Sequence, residues 1–131
     1  MKYLSIDEVL AIHHEVIKTI GGKKGIHDFT LLHSAVERPK ATFAGKDLYK
    51  STFEKAAVLF QSLILNHAFQ DGNKRTAYVA CIRFLYINKY KLNIKKEQII
   101  RFILKIESKK IKVQDISCLI EKHSSFIKTR R

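Results

Sequence analysis

The chain has 131 residues, the size of one domain, and 46% of them are hydrophobic, so it can bury a core without disulfides or a structural metal. No apolar segment follows a basic N-terminus, and no apolar run approaches the ~20 residues of a membrane span, so we expect a cytoplasmic protein without membrane contact. The net charge of +13 favours an anionic ligand or partner, although a lysine-rich solvated surface would carry the same charge.

The N-terminal part of the chain predicts two helices. Ser5 and Glu8 form a capping box, and apolar residues then recur at helical spacing. The glycine pair at 21–22 ends this helix, because glycine tolerates the left-handed conformation of a helix cap. A short second helix follows, with Asp28 or Thr30 at its N-cap.

The middle of the chain predicts a flap followed by a buried helix. Pro39, the only proline, stops the second helix, because the residue before a proline is pushed out of helical geometry. Residues 40–50 show no clear period and predict an irregular flap. Ser51 and Glu54 form another capping box, and the helix that follows to about residue 66 is apolar on most faces. It is therefore predicted to be the central helix of the fold.

Three further helices are predicted, at 74–88, 95–107 and about 114–128, with a basic tail at about 127–131 that is expected to fray. No repeat or low-complexity linker divides the chain. The predicted fold is a single all-α domain, 1–131, a compact bundle of about six helices with a short flap.

The two cysteines give little indication of chemistry. Cys81 and Cys118 both lie in apolar contexts, which predicts two buried, reduced thiols. They do not cluster with histidines at ligand spacing, so the sequence predicts no cysteine–histidine metal site.

The stretch HAFQDGNKRTAY, residues 67–78, places polar groups between two apolar helices. Asn73 is a favoured N-cap residue, and Lys74 and Arg75 then put two cations at the positive end of a helix dipole. Cations are unfavourable there for the helix alone, and a bound phosphate would resolve the conflict. Gly72 would let the backbone approach such an anion closely.

Two further residues of the stretch add to this interpretation. His67 can accept a proton from a hydroxyl at neutral pH, and Asp71 offers an oxygen ligand for Mg²⁺ beside phosphates. Phe69 would anchor the loop in the core. Each residue also has an ordinary role in a surface turn, so the residues alone leave a surface loop and a phosphate site both open. The other histidines are interpreted as structural or surface residues: His13, His14, His27, His33 and His123.

The stretch resembles the signature of the Fic/Doc superfamily, H-x-F-x-[DE]-G-N-[GK]-R. The matching positions are His67, Phe69, Asp71, Gly72, Asn73, Lys74 and Arg75. The resemblance covers most of residues 3–125, through the segments LSIDEVLAIHHEVI, GGKKGIHDFTLLHSAVERP and FEKAAVLFQSLILNHAF.

Within the superfamily the chain is most similar to the Doc (death-on-curing) toxin branch. Lys74 stands where the AMP-transferring branch usually has a second glycine, and Tyr78 stands where that branch has a second arginine. The resemblance implies ATP-dependent phosphorylation of a protein hydroxyl, with elongation factor Tu as the target and arrested translation as the result. AMP transfer by the same loop is the alternative.

Site roles follow from the resemblance by position. His67 would be the general base, Asp71 the Mg²⁺ ligand, and the flap at 40–50 would position the target segment. Asn73 would be part of the anion hole, and Lys74 and Arg75 would hold the phosphates of ATP. Gly72 completes the predicted nucleotide-binding residues through the close approach of its backbone.

The resemblance also implies a cognate antitoxin, and the charge of +13 suits an acidic, partly disordered one. The inhibitory motif of the superfamily, [ST]-x-x-x-E-[GN], has no full match here, since the nearest segment, SCLIEK at 117–122, ends in lysine. Inhibition is therefore expected from another chain. A non-catalytic, basic nucleic-acid-binding protein is the alternative of another class, which the lack of aromatics clustered beside basic residues disfavours.

Overall fold

In the computed structural model, which describes residues 1–128, helices account for most of the chain. The described helices are α1 (Ile6–Ile20), α2 (Phe29–Glu37), α3 (Thr52–Leu65), α4 (Asn73–Ile87), α5 (Lys96–Glu107) and α6 (Val113–Lys122). Two antiparallel strand pairs accompany them, β1 (Thr42–Phe43) with β2 (Lys46–Asp47), and β3 (Tyr90–Leu92) with β4 (Ser124–Phe126). The predicted all-α class with about six helices is confirmed.

The central helix is α3, as predicted. It packs against α2, α4, α5 and α6, and it buries residues on nearly every face. Such an all-round apolar helix has to be enclosed by other helices, so it forms the axis of the core. Among residues 1–128, no helix combines the length and the hydropathy needed to cross a membrane.

Helix starts are set by the capping residues that the sequence indicates. The side chains of Ser5 and Ser51 accept hydrogen bonds from the backbone N–H groups of Glu8 and Glu54. The glutamate side chains in turn accept from the backbone N–H groups of the two serines. Asp28 caps α2, so Thr30 does not. Each such cap contributes about 1 kcal/mol to helix stability.

The flap contains the β1–β2 hairpin, and a buried lysine fixes its base. Lys55 is only 1% exposed, and its ammonium donates to the Asp47 carboxylate at 3.1 Å and to the backbone carbonyls of Pro39 and Tyr49. A buried ammonium needs such partners, because an unpaired charge in the core is costly. The flap is therefore tied to α3, while Phe43 at its tip is 75% exposed.

The C-terminal prediction was wrong in part. The predicted helix 114–128 ends at Lys122, and β4 then pairs with β3, which lies in a segment predicted to be only a turn. Paired strands of three residues are too short for an alternating pattern to be visible in the sequence. Of the tail predicted to fray, Ile127 donates its N–H to the Lys89 carbonyl at 2.8 Å, and residues 129–131 lie outside the described part.

Both cysteines are free thiols, but only Cys81 is buried, so the predicted burial of Cys118 was wrong. The core-facing stripe of α6 is formed by Ile116, Ser117 and Ile120, and Cys118 points away from it. Burial raises the pKa of the Cys81 thiol to about 12.

We expect iodoacetamide at about pH 8 to alkylate Cys118 in the native protein and to spare Cys81, because the thiolate is the reactive form. Intact-mass spectrometry before and after denaturation measures the number of adducts. The Cys118→Ser variant is the control and should stay unlabelled until it unfolds. Rapid double labelling of the native chain would contradict this packing of α4.

Candidate active site

The segment 66–72 joins α3 to α4 and carries three of the six predicted site residues, His67, Asp71 and Gly72; the other three begin α4. Asn66 caps the end of α3, and its side-chain amide donates to the Leu31 carbonyl at 2.9 Å. His67 follows with a left-handed φ of 48°, which turns the chain out of the helix. Its side chain is exposed, so the imidazole is accessible to a molecule that arrives from solvent.

A second loop supports this segment through backbone hydrogen bonds. The N–H groups of His27 and Asp28 donate to the Ala68 carbonyl at 2.7 and 3.0 Å, and the Gln70 N–H donates to the Gly25 carbonyl at 3.1 Å. The loop between α1 and α2 therefore holds the polar segment from one side. The polar segment is a fixed part of the fold with a defined shape.

Asn73 does not cap α4, so that prediction was wrong. The N-cap position belongs to Gly72, and Asn73 is the first helical residue. The Asn73 side chain folds back instead: its amide donates to the Phe69 carbonyl, and its oxygen accepts from the Phe69 N–H, both at 3.0 Å. This pair of hydrogen bonds closes the loop on itself and leaves the N-cap without a side-chain acceptor.

Gly72 is required for a reason other than the approach of an anion. Its φ of +75° lies in the left-handed region, which favours glycine. A β-carbon at this position would lie 3.1 Å from the Cδ1 of Ile17 and 3.4 Å from the Cγ1 of Val16. The loop therefore packs directly on α1, and any side chain at residue 72 would push the two apart.

The first turn of α4 is strongly electropositive. It contains no acidic residue, its N-cap makes no side-chain hydrogen bond, and Lys74 and Arg75 are exposed beside it. The ammonium of Lys74 lies 3.3 Å from the Glu107 carboxylate, and this partly exposed pair contributes little to stability. Backbone N–H groups, the positive end of the helix dipole and two exposed cations therefore lie within one turn, and such a turn is suited to binding phosphate.

Asp71 projects from the same loop and is held by backbone donors. Its Oδ1 accepts from the Gly72 N–H at 3.0 Å, and its Oδ2 accepts from the Lys23 N–H at 3.3 Å. A β-carbon on Gly22 would lie 2.7 Å from Oδ2, so the chain after α1 approaches this carboxylate closely. The carboxylate is exposed and keeps free lone pairs on both oxygens.

A metal ion at Asp71 would need further ligands from outside the protein. Within residues 1–128, no group of three or more His, Cys, Asp or Glu side chains could hold a metal. A single carboxylate suits Mg²⁺ that is already bound to phosphates and water, since Mg²⁺ keeps several waters. The donor set therefore fits a metal–nucleotide complex better than a free ion.

His13, which the sequence indicated only as structural or surface, lies directly beneath the loop. It is 5% exposed, and its Nε2 donates to the Asp71 carbonyl at 2.8 Å. Its ring stacks on Phe69, with centroids 3.8 Å apart and 6° between the planes. Phe69 is itself buried, so its predicted role as the anchor of the loop is confirmed.

An apolar groove of about 540 Å³ begins at the two cations and runs between α4 and α5. Tyr78 lines it, and burial, with a smaller contribution from Cys81, raises the pKa of this phenol above its ordinary value. The phenol therefore stays neutral at physiological pH. The other lining residues are Lys74, Arg75, Ile94, Lys96, Ile99, Ile100, Ile103, Leu104 and Glu107.

Comparisons with known proteins identify the family of this chain. Residues 3–85 match the profile of the Fic/DOC family. The chain is 51% identical over 72 residues to a protein named Toxin Doc from Mycolicibacterium smegmatis, a match that covers 55% of each chain. It is 31% identical over 88 residues to Protein kinase doc of Escherichia phage P1, covering 67% of this chain and 69% of that one. The match to the mycobacterial relative thus spans only about half of that protein's length. The chain belongs to the Fic/Doc family.

Proposed function

We propose that this protein is the toxin component of a toxin–antitoxin system and that it transfers the γ-phosphoryl group of ATP to a hydroxyl of a protein target. The observation that carries the proposal is that His67, Asp71 and the cationic start of α4, whose N-cap makes no side-chain hydrogen bond, lie within one short segment that backbone hydrogen bonds brace. The names of the two relatives, a toxin and a protein kinase, support the same conclusion.

The nucleotide would lie with its phosphates at the start of α4 and its base in the adjoining groove. Lys74 and Arg75 border both regions, so they would neutralise the phosphates. The groove volume of about 540 Å³ is within the usual range for small-molecule sites. The Asn73 side chain is hydrogen-bonded to the Phe69 backbone, so residue 73 would contribute its backbone N–H to the phosphates.

Phosphoryl transfer asks for positioning and charge neutralisation more than for covalent chemistry. The target hydroxyl oxygen would attack the γ-phosphorus, and the bond from that phosphorus to the β,γ-bridging oxygen would break, releasing ADP. His67 would accept the hydroxyl proton. Asp71 would hold Mg²⁺, which when bound offsets the negative charge on the phosphates.

The flap would present the target. Its hairpin has short, exposed strands, and its tip carries the exposed Phe43, while Lys55 fixes its base on α3. A fixed base with an accessible edge suits the binding of an extended target segment. Elongation factor Tu is the target we propose, and loss of its function would arrest translation.

The partner that restrains the toxin would be a cognate antitoxin of acidic, partly disordered character. The net charge of +13 would speed the association with such a chain. We do not expect direct binding of nucleic acid, since the candidate site is built around one loop and one groove.

Incubation with elongation factor Tu, ATP and Mg²⁺, followed by intact-mass spectrometry of the target, tests the proposal. We expect a single phosphate adduct, and label transferred from γ-labelled but not from α-labelled ATP. Transfer of the α-label with the mass of AMP would replace phosphorylation with AMP transfer. No adduct, together with RNA or DNA binding that falls steeply with salt and ignores His67, would favour the nucleic-acid alternative.

A further inference from the structure

We propose that His13 is a positioning residue for transfer: it holds the peptide between Asp71 and Gly72 in one orientation and thereby sets the geometry of the phosphate-binding loop. This inference rests on the proposed function for its catalytic part. It concerns a residue of α1, outside the contiguous stretch that carries the chemistry.

The contacts of His13 are those of a fixed group. A carbonyl oxygen can only accept a hydrogen bond, so the Nε2 atom that lies 2.8 Å from the Asp71 carbonyl carries the proton. The parallel stack on Phe69, at 3.8 Å, holds the ring in the plane that this bond requires. Both partners, Phe69 and Asp71, belong to the segment 66–72 and lie one on each side of Gln70.

The orientation of the Asp71 carbonyl decides where the next N–H group points. In a trans peptide the C=O and N–H bonds point in opposite directions. With the carbonyl turned inward to His13, the Gly72 N–H is turned away from α1, where it meets the Oδ1 of Asp71 at 3.0 Å. One buried donor therefore fixes both the metal-binding carboxylate and the backbone that opens α4.

His13 acts through the loop and does not touch substrate. It is 5% exposed, and it lies 3.8 Å from the position that a β-carbon on Gly72 would occupy, on the α1 side of the loop. Without its donor, the Asp71 carbonyl would lose its partner, and the loop could rotate this peptide. An effect on the rate of transfer is then expected without any change in the reacting groups.

The test compares the wild type with His13→Phe, which keeps a stacking ring but has no donor, and with His13→Gln, which restores an N–H donor of similar reach. The exposed neighbour provides the matched control, His14→Phe. Amide hydrogen exchange of the apo protein is measured by NMR at Phe69, Gln70 and Thr76, relative to amides of α6. Steady-state kinetics with ATP, Mg²⁺ and the protein target are then measured for the same variants.

We expect His13→Phe to speed exchange of the loop amides roughly tenfold relative to α6, and to lower kcat by a similar factor with little change in KM for the target. His13→Gln should recover both, and His14→Phe should change neither. A purely structural role would instead speed the loop and α6 amides together.

Three results would overturn the inference: loop amides that exchange in His13→Phe as in the wild type, loop and α6 amides that speed up together, or a loosened loop with wild-type kcat. A different outcome is a wild type that transfers neither phosphate nor AMP while His13→Phe still speeds exchange of the loop amides. In that case the proposed function is wrong, but the conclusion that His13 fixes the loop is retained. The exchange measurement therefore separates the two conclusions.

Discussion

Replacing His67 with alanine is expected to lower the rate of phosphoryl transfer by about 10²- to 10⁴-fold, the usual contribution of a positioned general base. The side chain is exposed and not part of the core, so its removal should leave the fold intact. Growth arrest on expression should disappear together with the transferase activity. Single-turnover kinetics with saturating ATP measure the loss in the chemical step.

The backbone at this position requires a second variant. Residue 67 has a φ of 48°, which alanine adopts with strain but asparagine tolerates better. His67→Asn should therefore match the wild type in thermal unfolding and match His67→Ala in activity. His33→Ala, at an exposed histidine of α2, is the control and should retain full activity. A fully toxic His67→Asn protein would remove His67 from the mechanism.

The parts of the fold that could be predicted are those determined by residues close together in the sequence. A capping box such as Ser5 with Glu8 acts over three residues, and the apolar pattern of α3 is continuous along one helix. The β3–β4 pair is different, because it joins Tyr90 to Phe126, and neither segment indicates its partner. Pairing between short strands that are distant in sequence depends on how the helices pack, and no local sequence pattern indicates that packing.

The sequence predicts which side chains make up the candidate site, but it predicts only in part how the fold holds them in place. His67, Asp71 and the two cations occur in one contiguous stretch, so the sequence displays them together. The supports come from the loop after α1 and from α1 itself, where His13 occupies a core-facing position one turn from Val9 and Ile17. A histidine in such an apolar stripe must find a buried partner, and this was the available signal.

Asn73 shows why residue preference alone misplaces a helix start. Asparagine is a common N-cap, but here the cap position is left-handed and suits Gly72, and the Asn73 side chain reaches back to Phe69. The prediction was one residue late because the hydrogen bonds of Asn73 lie within the loop. An N-cap without a side-chain acceptor leaves backbone N–H groups free, which is what the proposed binding of phosphate requires.

Replacing Asp71 with asparagine is expected to lower kcat by about 100-fold or more and to raise the Mg²⁺ concentration needed for half-maximal activity. The neutral amide loses the charge that attracts a hard cation. The amide oxygen can still accept the hydrogen bond from the Gly72 N–H, and only the longer bond from the Lys23 N–H at 3.3 Å is lost, so the shape of the loop should persist. Initial rates over a Mg²⁺ titration, at fixed free ATP, measure both effects.

The matched control is Asp7→Asn, at an exposed aspartate in the first turn of α1. It removes the same charge from a similar surface, so any fall in activity from the change in net charge alone would appear in both variants. Thermal unfolding should differ little between Asp71→Asn and the wild type, because Asp71 is exposed. Wild-type activity in Asp71→Asn with an unchanged Mg²⁺ requirement would mean that the metal is held elsewhere. A normal requirement with a reduced rate would instead give Asp71 a role in loop shape alone, alongside His13.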